Sequence, residues 1–129
     1  MKTVFLLLFL TLGLVSKGQE NGIRFGNDSL LSSVLRKART ANMLVFVDCY
    51  TAWCGPCREM DRQVFSNVEV GKFFNKNFIC VKFDMEKPEG LNIQKKYNVN
   101  AYPTLLFLND KGEQIYYYVG SLDIKTLRL

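Results

Sequence analysis

The 129-residue chain contains no histidine. That absence removes Cys–His and Ser–His nucleophile pairs and every His-ligated zinc or copper site. Proton transfer is left to carboxylates, lysine, tyrosine, cysteine or water. The chain also lacks an apolar run long enough to span a bilayer: Val4–Val15 falls short of the roughly 20 residues a spanning helix needs. It lacks a block of one charge sign. Its 17 basic and 12 acidic residues are interspersed and form no basic stripe, which argues against a nucleic-acid partner. Repeats and low-complexity tracts are absent as well. What remains is a chain of single-domain length, 48% apolar, with ten Phe and six Tyr, enough to build a core without disulfide staples.

Residues 1–19 read as a secretory signal peptide. Lys2 supplies the positive start, VFLLLFLTLGLV the short apolar stretch, and Ser16 and Gly18 the small residues a signal peptidase accepts. Residues 20–129 are then expected in a periplasmic or secreted setting, where disulfides persist, with no stable membrane insertion once the segment is cleaved. Cleavage removes Lys2 and Lys17 and leaves 15 basic residues against 12 acidic.

The remainder alternates between helical and strand patterns. Leu30, Leu31, Val34, Leu35 and Ala38 recur at helical spacing, with Asp28 or Ser29 as the expected cap and Asn42 as the stop. MLVFVDCY (43–50) is an apolar β-former run, expected to be buried on both faces in a parallel sheet. A helix is predicted from Pro56 to about Phe65, and Ser66-Asn67 recaps a second one ending near Phe74. FICVKFD (78–84) is a strand, and Glu89–Tyr97 a helix with Leu91, Ile93 and Tyr97 as its apolar contacts. Thr104–Leu108 and Gln114–Val119 form a hairpin across Asn109-Asp110-Lys111-Gly112. Asp123 caps a final helix, expected to be incomplete because only six residues follow. Helix-linked strands plus a hairpin predict an α/β fold with a mixed sheet of four to five strands and helices on both faces.

Trp53-Cys54-Gly55-Pro56-Cys57 falls between a buried strand and a helix start. A cysteine there meets unpaired N–H groups and the positive end of the helix dipole, and both favour the thiolate that attacks disulfides. Cys54 is therefore read as an accessible attacking thiol, with Cys57 one turn inward as the thiol that resolves the mixed disulfide. Pro56 suits the first helical turn, and Gly55 lets a substrate backbone approach. Two other readings of the motif are half a zinc site, which needs two more ligands, and an inert structural bridge. Cys49 and Cys80 are the other cysteines. Strand alternation puts them on opposite faces, as two buried thiols that do not bond. No metal and no cofactor is expected.

LVFVDCYTAWCGPC, VKFD and YPTLLFL resemble the thioredoxin superfamily over about residues 30–127. The upstream helix and VFSNVEVGKFFNKNF are similar to the reductase domains of bacterial thiol:disulfide interchange proteins. The resemblance implies a thioredoxin fold and thiol-disulfide oxidoreductase activity. It implies that Asp48, six residues before Cys54, is a buried carboxylate able to accept the Cys57 proton, against the alternative of a solvated strand-end acid. Lys82 matches the family's lysine on the neighbouring strand, either paired with Asp48 or at the surface. Tyr102-Pro103-Thr104 matches the loop that faces the cysteines, where the family has a cis proline, against the alternative of a trans proline that merely starts a strand. Tyr102 departs from the small or aliphatic residue often found there. Trp53 either flanks the substrate groove or covers the disulfide. Gly120 either borders that groove or simply ends a strand.

Gly-Pro between the cysteines resembles the reductases of this fold, whereas its strong oxidants place a histidine there. The function implied is reduction of disulfide-bonded client proteins, supplied with electrons by a membrane-bound donor. The alternatives are an oxidant or isomerase of the same fold, or a non-catalytic peptide-binding module.

Overall fold

A computed structural model describes residues 21–127. The expected signal peptide and residues 128 and 129 lie outside the described residues. In chain order the elements are β1 (Phe25–Gly26), α1 (Leu31–Ala41), β2 (Leu44–Tyr50), α2 (Gly55–Met60), a π-helical turn (Asp61–Phe65), α3 (Val68–Asn77), β3 (Phe78–Asp84), α4 (Pro88–Tyr97), β4 (Thr104–Leu108), β5 (Gln114–Val119) and α5 (Ile124–Leu127). The strands form one sheet in the order β1-β3-β2-β4-β5. β1, β3 and β2 run parallel, and β4 and β5 pair antiparallel beyond β2. This is the mixed five-stranded α/β architecture expected from the sequence.

β2 is central and buried on both sides, and its alternation sorts the interior into two chemistries. Val45, Val47 and Cys49 face a largely aliphatic core closed by Leu31, Val34, Leu35 and Ala38 of α1 and Ile93 of α4. Phe46 faces the other core, closed by Met60, Val64, Phe65, Val70 and Phe74 from the α2–α3 side. There its ring lies 4.8 Å from Phe74, 5.2 Å from Phe107 and 5.9 Å from Phe65, centroid to centroid. Phe25 and Phe78 complete the cluster. Offset and edge contacts of this kind add to burial for aromatic pairs.

Local readings fail where distant residues decide. Neither Asp28 nor Ser29 caps α1. The first helical amide, Leu31 N–H, donates to the Glu89 carboxylate of α4 at 2.7 Å, while Asp28 pairs with Lys37. Leu30 precedes the helix and is exposed. Leu91 is exposed too, because α4 buries a different line of residues. Gly90 lies so close to the chain before it that a Cβ would sit 1.9 Å from the Asp84 carbonyl oxygen, and Ile93 continues that buried side. α3 runs to Asn77, about a turn beyond Phe74, with Asn67 Oδ1 accepting from Glu69 N–H and Val70 N–H. Asp123 does cap α5, accepting from Thr126 N–H at 2.7 Å.

Truncating the hub of the aromatic core in Phe46→Ala is expected to lower unfolding stability by about 3–5 kcal/mol. Leu91→Ala is expected to change it by less than about 0.5 kcal/mol. Urea unfolding of both variants checks the assignment.

Candidate active site

β2 ends at Tyr50, and the chain turns through Thr51, Ala52 and Trp53 before α2 begins. Cys54 N–H closes the turn on the Thr51 carbonyl at 3.2 Å, and the Arg58 guanidinium holds the Ala52 carbonyl at 2.8 Å. Cys54 is thereby fixed as the residue that caps α2, and Pro56 occupies the first turn. Cys57 N–H donates to Cys54 Sγ at 3.2 Å. The two cysteines are joined in a disulfide with Cα atoms 5.3 Å apart.

Each half-cystine is only 3% exposed. In the disulfide seen here, the expectation of an accessible sulfur at residue 54 is not met. Its neighbours are open. Trp53, Gly55 and Pro56 are exposed, and no atom outside the adjoining chain comes within 4 Å of where a Gly55 Cβ would stand.

The 102–103 loop meets this turn. The Trp53 ring stands edge-on to Tyr102 at 6.0 Å, and its indole N–H donates to the Glu86 carboxylate. Tyr102 is itself held by Gln94, whose Nε2 donates to its hydroxyl at 3.1 Å. Trp53 therefore flanks the motif as an exposed wall. The Tyr102–Pro103 peptide bond is cis. Gly120 N–H donates to the Pro103 carbonyl at 2.8 Å, and Gly120 has φ 104°, a conformation that favours glycine.

Behind the motif, Asp48 of β2 is 1% exposed and stands in register with Lys82 of β3. Lys82 Nζ lies 3.3 Å from Asp48 Oδ2, a charge contact, while neither carboxylate oxygen has a hydrogen-bond partner. Burial pushes the Asp48 carboxyl up from 3.8 to about 6. Lys82 opposes that rise and Asp61 adds to it. The group thus changes charge near neutral pH, as a proton acceptor must. Lys82 is not simply its partner, because it also pairs with Asp61.

Cys49 and Cys80 lie in separate cores as free thiols. Burial drives the Cys49 thiol far above the ordinary range and Cys80 up to about 12, so neither is a reactive thiolate. Among the described residues no three Cys, Asp or Glu side chains gather where a metal could bind, and no helix is long and apolar enough to cross a membrane.

Three side chains of this neighbourhood were not picked out in sequence. Glu86 and Gln94 brace Trp53 and Tyr102 from α4 and the loop before it, and no local pattern marks them. Asp61 had a signal: it stands four residues after Cys57, on the same side of the helix.

A thioredoxin-like family profile matches residues 28–110. The chain belongs to the thioredoxin-like family. It is 36% identical over 87 residues to the thiol:disulfide interchange protein DsbD of Pasteurella multocida, a match covering 66% of this chain and 15% of that protein. It is 36% identical over 87 residues to a thioredoxin H-type of Oryza sativa subsp. indica, covering 67% of this chain and 66% of that one. In structure it resembles a Bacteroides thetaiotaomicron protein provisionally described as a disulphide-isomerase, with TM-score 0.75, 44% identity, and 86% and 92% of the two chains covered. A Thermus thermophilus thioredoxin shares the fold at TM-score 0.72 and 23% identity, over 83% and 82% of the chains. This thioredoxin-like chain is a thiol-disulfide oxidoreductase, and Cys54–Cys57 is its redox pair.

The burial of Asp48 carries a stability cost with a definite sign. Between pH 3.8 and about 6 the folded chain binds a proton that the unfolded chain has lost, so stability falls as pH rises through that window. The full deficit above it is about 3 kcal/mol. Asp48→Asn is therefore expected to unfold at higher urea than the wild type at pH 7.5, by about 2–3 kcal/mol, with the gain fading toward zero at pH 4. A gain that grows toward acid pH would contradict this burial.

Proposed function

We propose that this thioredoxin-like protein is a protein-disulfide reductase of an extracytoplasmic compartment. One observation carries the chemistry: Cys54 caps a helix with the Cys57 amide on its sulfur, and a buried carboxylate that titrates near neutrality lies on the sheet face this helix covers. In the reduced protein the Cys54 thiolate attacks a client disulfide. The client S–S bond breaks, a Cys54–client disulfide forms, and one client sulfur leaves as a thiolate that takes up a proton. Cys57 then gives its proton to Asp48 and attacks Cys54 Sγ. The Cys54–Cys57 bond closes and the second client thiolate leaves. The client gains two electrons and the protein loses them, so each cycle ends in the state seen here, and a dithiol donor must recharge it. A membrane-bound donor is the partner this reading calls for.

Asp48 acts in this scheme as the proton acceptor and Lys82 as its counter-ion. Trp53, Gly55, Pro56, Tyr102, Pro103 and Gly120 form the surface offered to the client. The location rests on residues 1–19 and on the likeness to interchange proteins. Since the matched stretch is a small part of the Pasteurella protein, that protein's whole activity does not transfer. The Bacteroides relative favours a second reading, isomerisation of misbridged clients by the same cysteines.

Insulin reduction with dithiothreitol tests turnover. The wild type is expected to accelerate it, and Cys54→Ser to lose the acceleration. Turnover that survives in Cys54→Ser would contradict the site, and none in the wild type would favour a peptide-holding module. Redox titration of the pair separates directions: about −270 mV is expected of a reductase, and a value near −120 mV would identify an oxidant.

A further inference from the structure

We propose that Asp61 is a positioning residue, one that holds the Lys82 ammonium between itself and Asp48 so that the buried carboxylate has only a share of its counter-ion. The inference rests on the reading above, in which Asp48 accepts the Cys57 proton.

The geometry is asymmetric. Lys82 rises from β3 directly opposite Asp48, yet it also pairs with Asp61, the first residue of the π-helical turn. Asp61 is half exposed, whereas Asp48 is sealed and neither of its oxygens has a hydrogen-bond partner. Three rings surround the ammonium, with centroids 5.1 Å (Tyr50), 5.2 Å (Phe25) and 5.7 Å (Phe65) away. Ring faces attract a cation and confine it without discharging it. The cation is thus left to divide itself between two carboxylates, one wet and one dry.

Other elements packed on this point contribute little charge. β4 presents Leu105 in register with Asp48. β1 presents the Phe25 ring, while the charge of Arg24 acts on Cys80. On β2 the adjacent Cys49 is a neutral thiol. Lys82 and Asp61 are therefore the charges that set the state of Asp48, with opposite signs.

This division suits a proton acceptor. A carboxylate fully paired with Lys82 would be a poor base, and one with no cation would remain protonated through the working range. Asp61, by drawing the ammonium outward, keeps Asp48 between those limits. The arrangement depends on a carboxylate four residues beyond the resolving cysteine.

The test is a carbon-13 NMR titration of the Asp48 carboxyl in the full oxidised chain, together with the pH dependence of mixed-disulfide resolution in the reduced one. Asp61→Asn frees Lys82 for Asp48, and the Asp48 midpoint is expected to fall by about one pH unit, the low end for a neighbouring charge because Asp61 is half exposed. Asp61→Glu is expected to restore the wild-type midpoint. Lys82→Met is expected to move the midpoint the other way. Movement of the resolution profile to lower pH in Asp61→Asn supports the proposal. An Asp48 midpoint that stays put or rises in Asp61→Asn overturns it. If the midpoint falls as stated while Asp48→Asn resolves with the wild-type pH profile, the sharing of Lys82 stands and the proton-acceptor role of Asp48 is the part that fails.

Discussion

The Cys57 amide that donates to Cys54 Sγ is the contact around which the rest of the site is organised. A helix leaves its first amides unpaired, and here one of them is spent on sulfur. In the disulfide that contact is weak. Under the proposed function, the same amide in the dithiol points a partial positive charge at the attacking sulfur. Everything local serves to hold Cys54 in the capping position: the end of β2 buried beneath it, the Thr51 carbonyl on its own amide, Arg58 across the Ala52 carbonyl, and Pro56 in the first turn. A sequence that moved the helix start by one residue would keep both cysteines and lose the arrangement.

The sheet serves the chemistry through its two unlike faces. The α1–α4 side is closed largely by aliphatic side chains. The α2–α3 side is built of phenylalanine, and into it β2 sends Asp48 and β3 sends Lys82, both two residues beyond core positions at Phe46 and Cys80. An apolar wall makes the carboxylate expensive to ionise, and the ring faces that line the same space tolerate the ammonium. The stability deficit of Asp48 follows from its burial.

Strands and site were legible wherever the pattern was short-range. The run from Val45 to Cys49 shows its burial by lacking polar residues other than Asp48, although the apolar Leu44 before it is exposed, and the pairing of Cys54 with Cys57 follows from their spacing at a helix start. A pairing of Lys82 with Asp48 is one of the two readings the sequence leaves open, and the second carboxylate on Lys82 is in neither. Asp61 reads as an ordinary helix-surface acid until the fold brings β3 beside it. The cap of α1 was misread for the same reason, since Asp28 is the local candidate and Glu89 arrives from α4. Leu91 is apolar yet exposed, because Gly90 and Ile93 form the side of α4 that packs inward. The covering of Cys54 is not legible in residue types, because burial at a helix start is set by the surrounding fold.

The most direct measurement is the pH dependence of iodoacetamide alkylation of the reduced protein, with the modified cysteine located by mass spectrometry. Alkylation is expected first on Cys54, with a midpoint clearly below the roughly 8.5 of a free thiol. Labelling of Cys57 ahead of Cys54, or a Cys54 midpoint at or above that value, would contradict a thiolate held at the mouth of the helix.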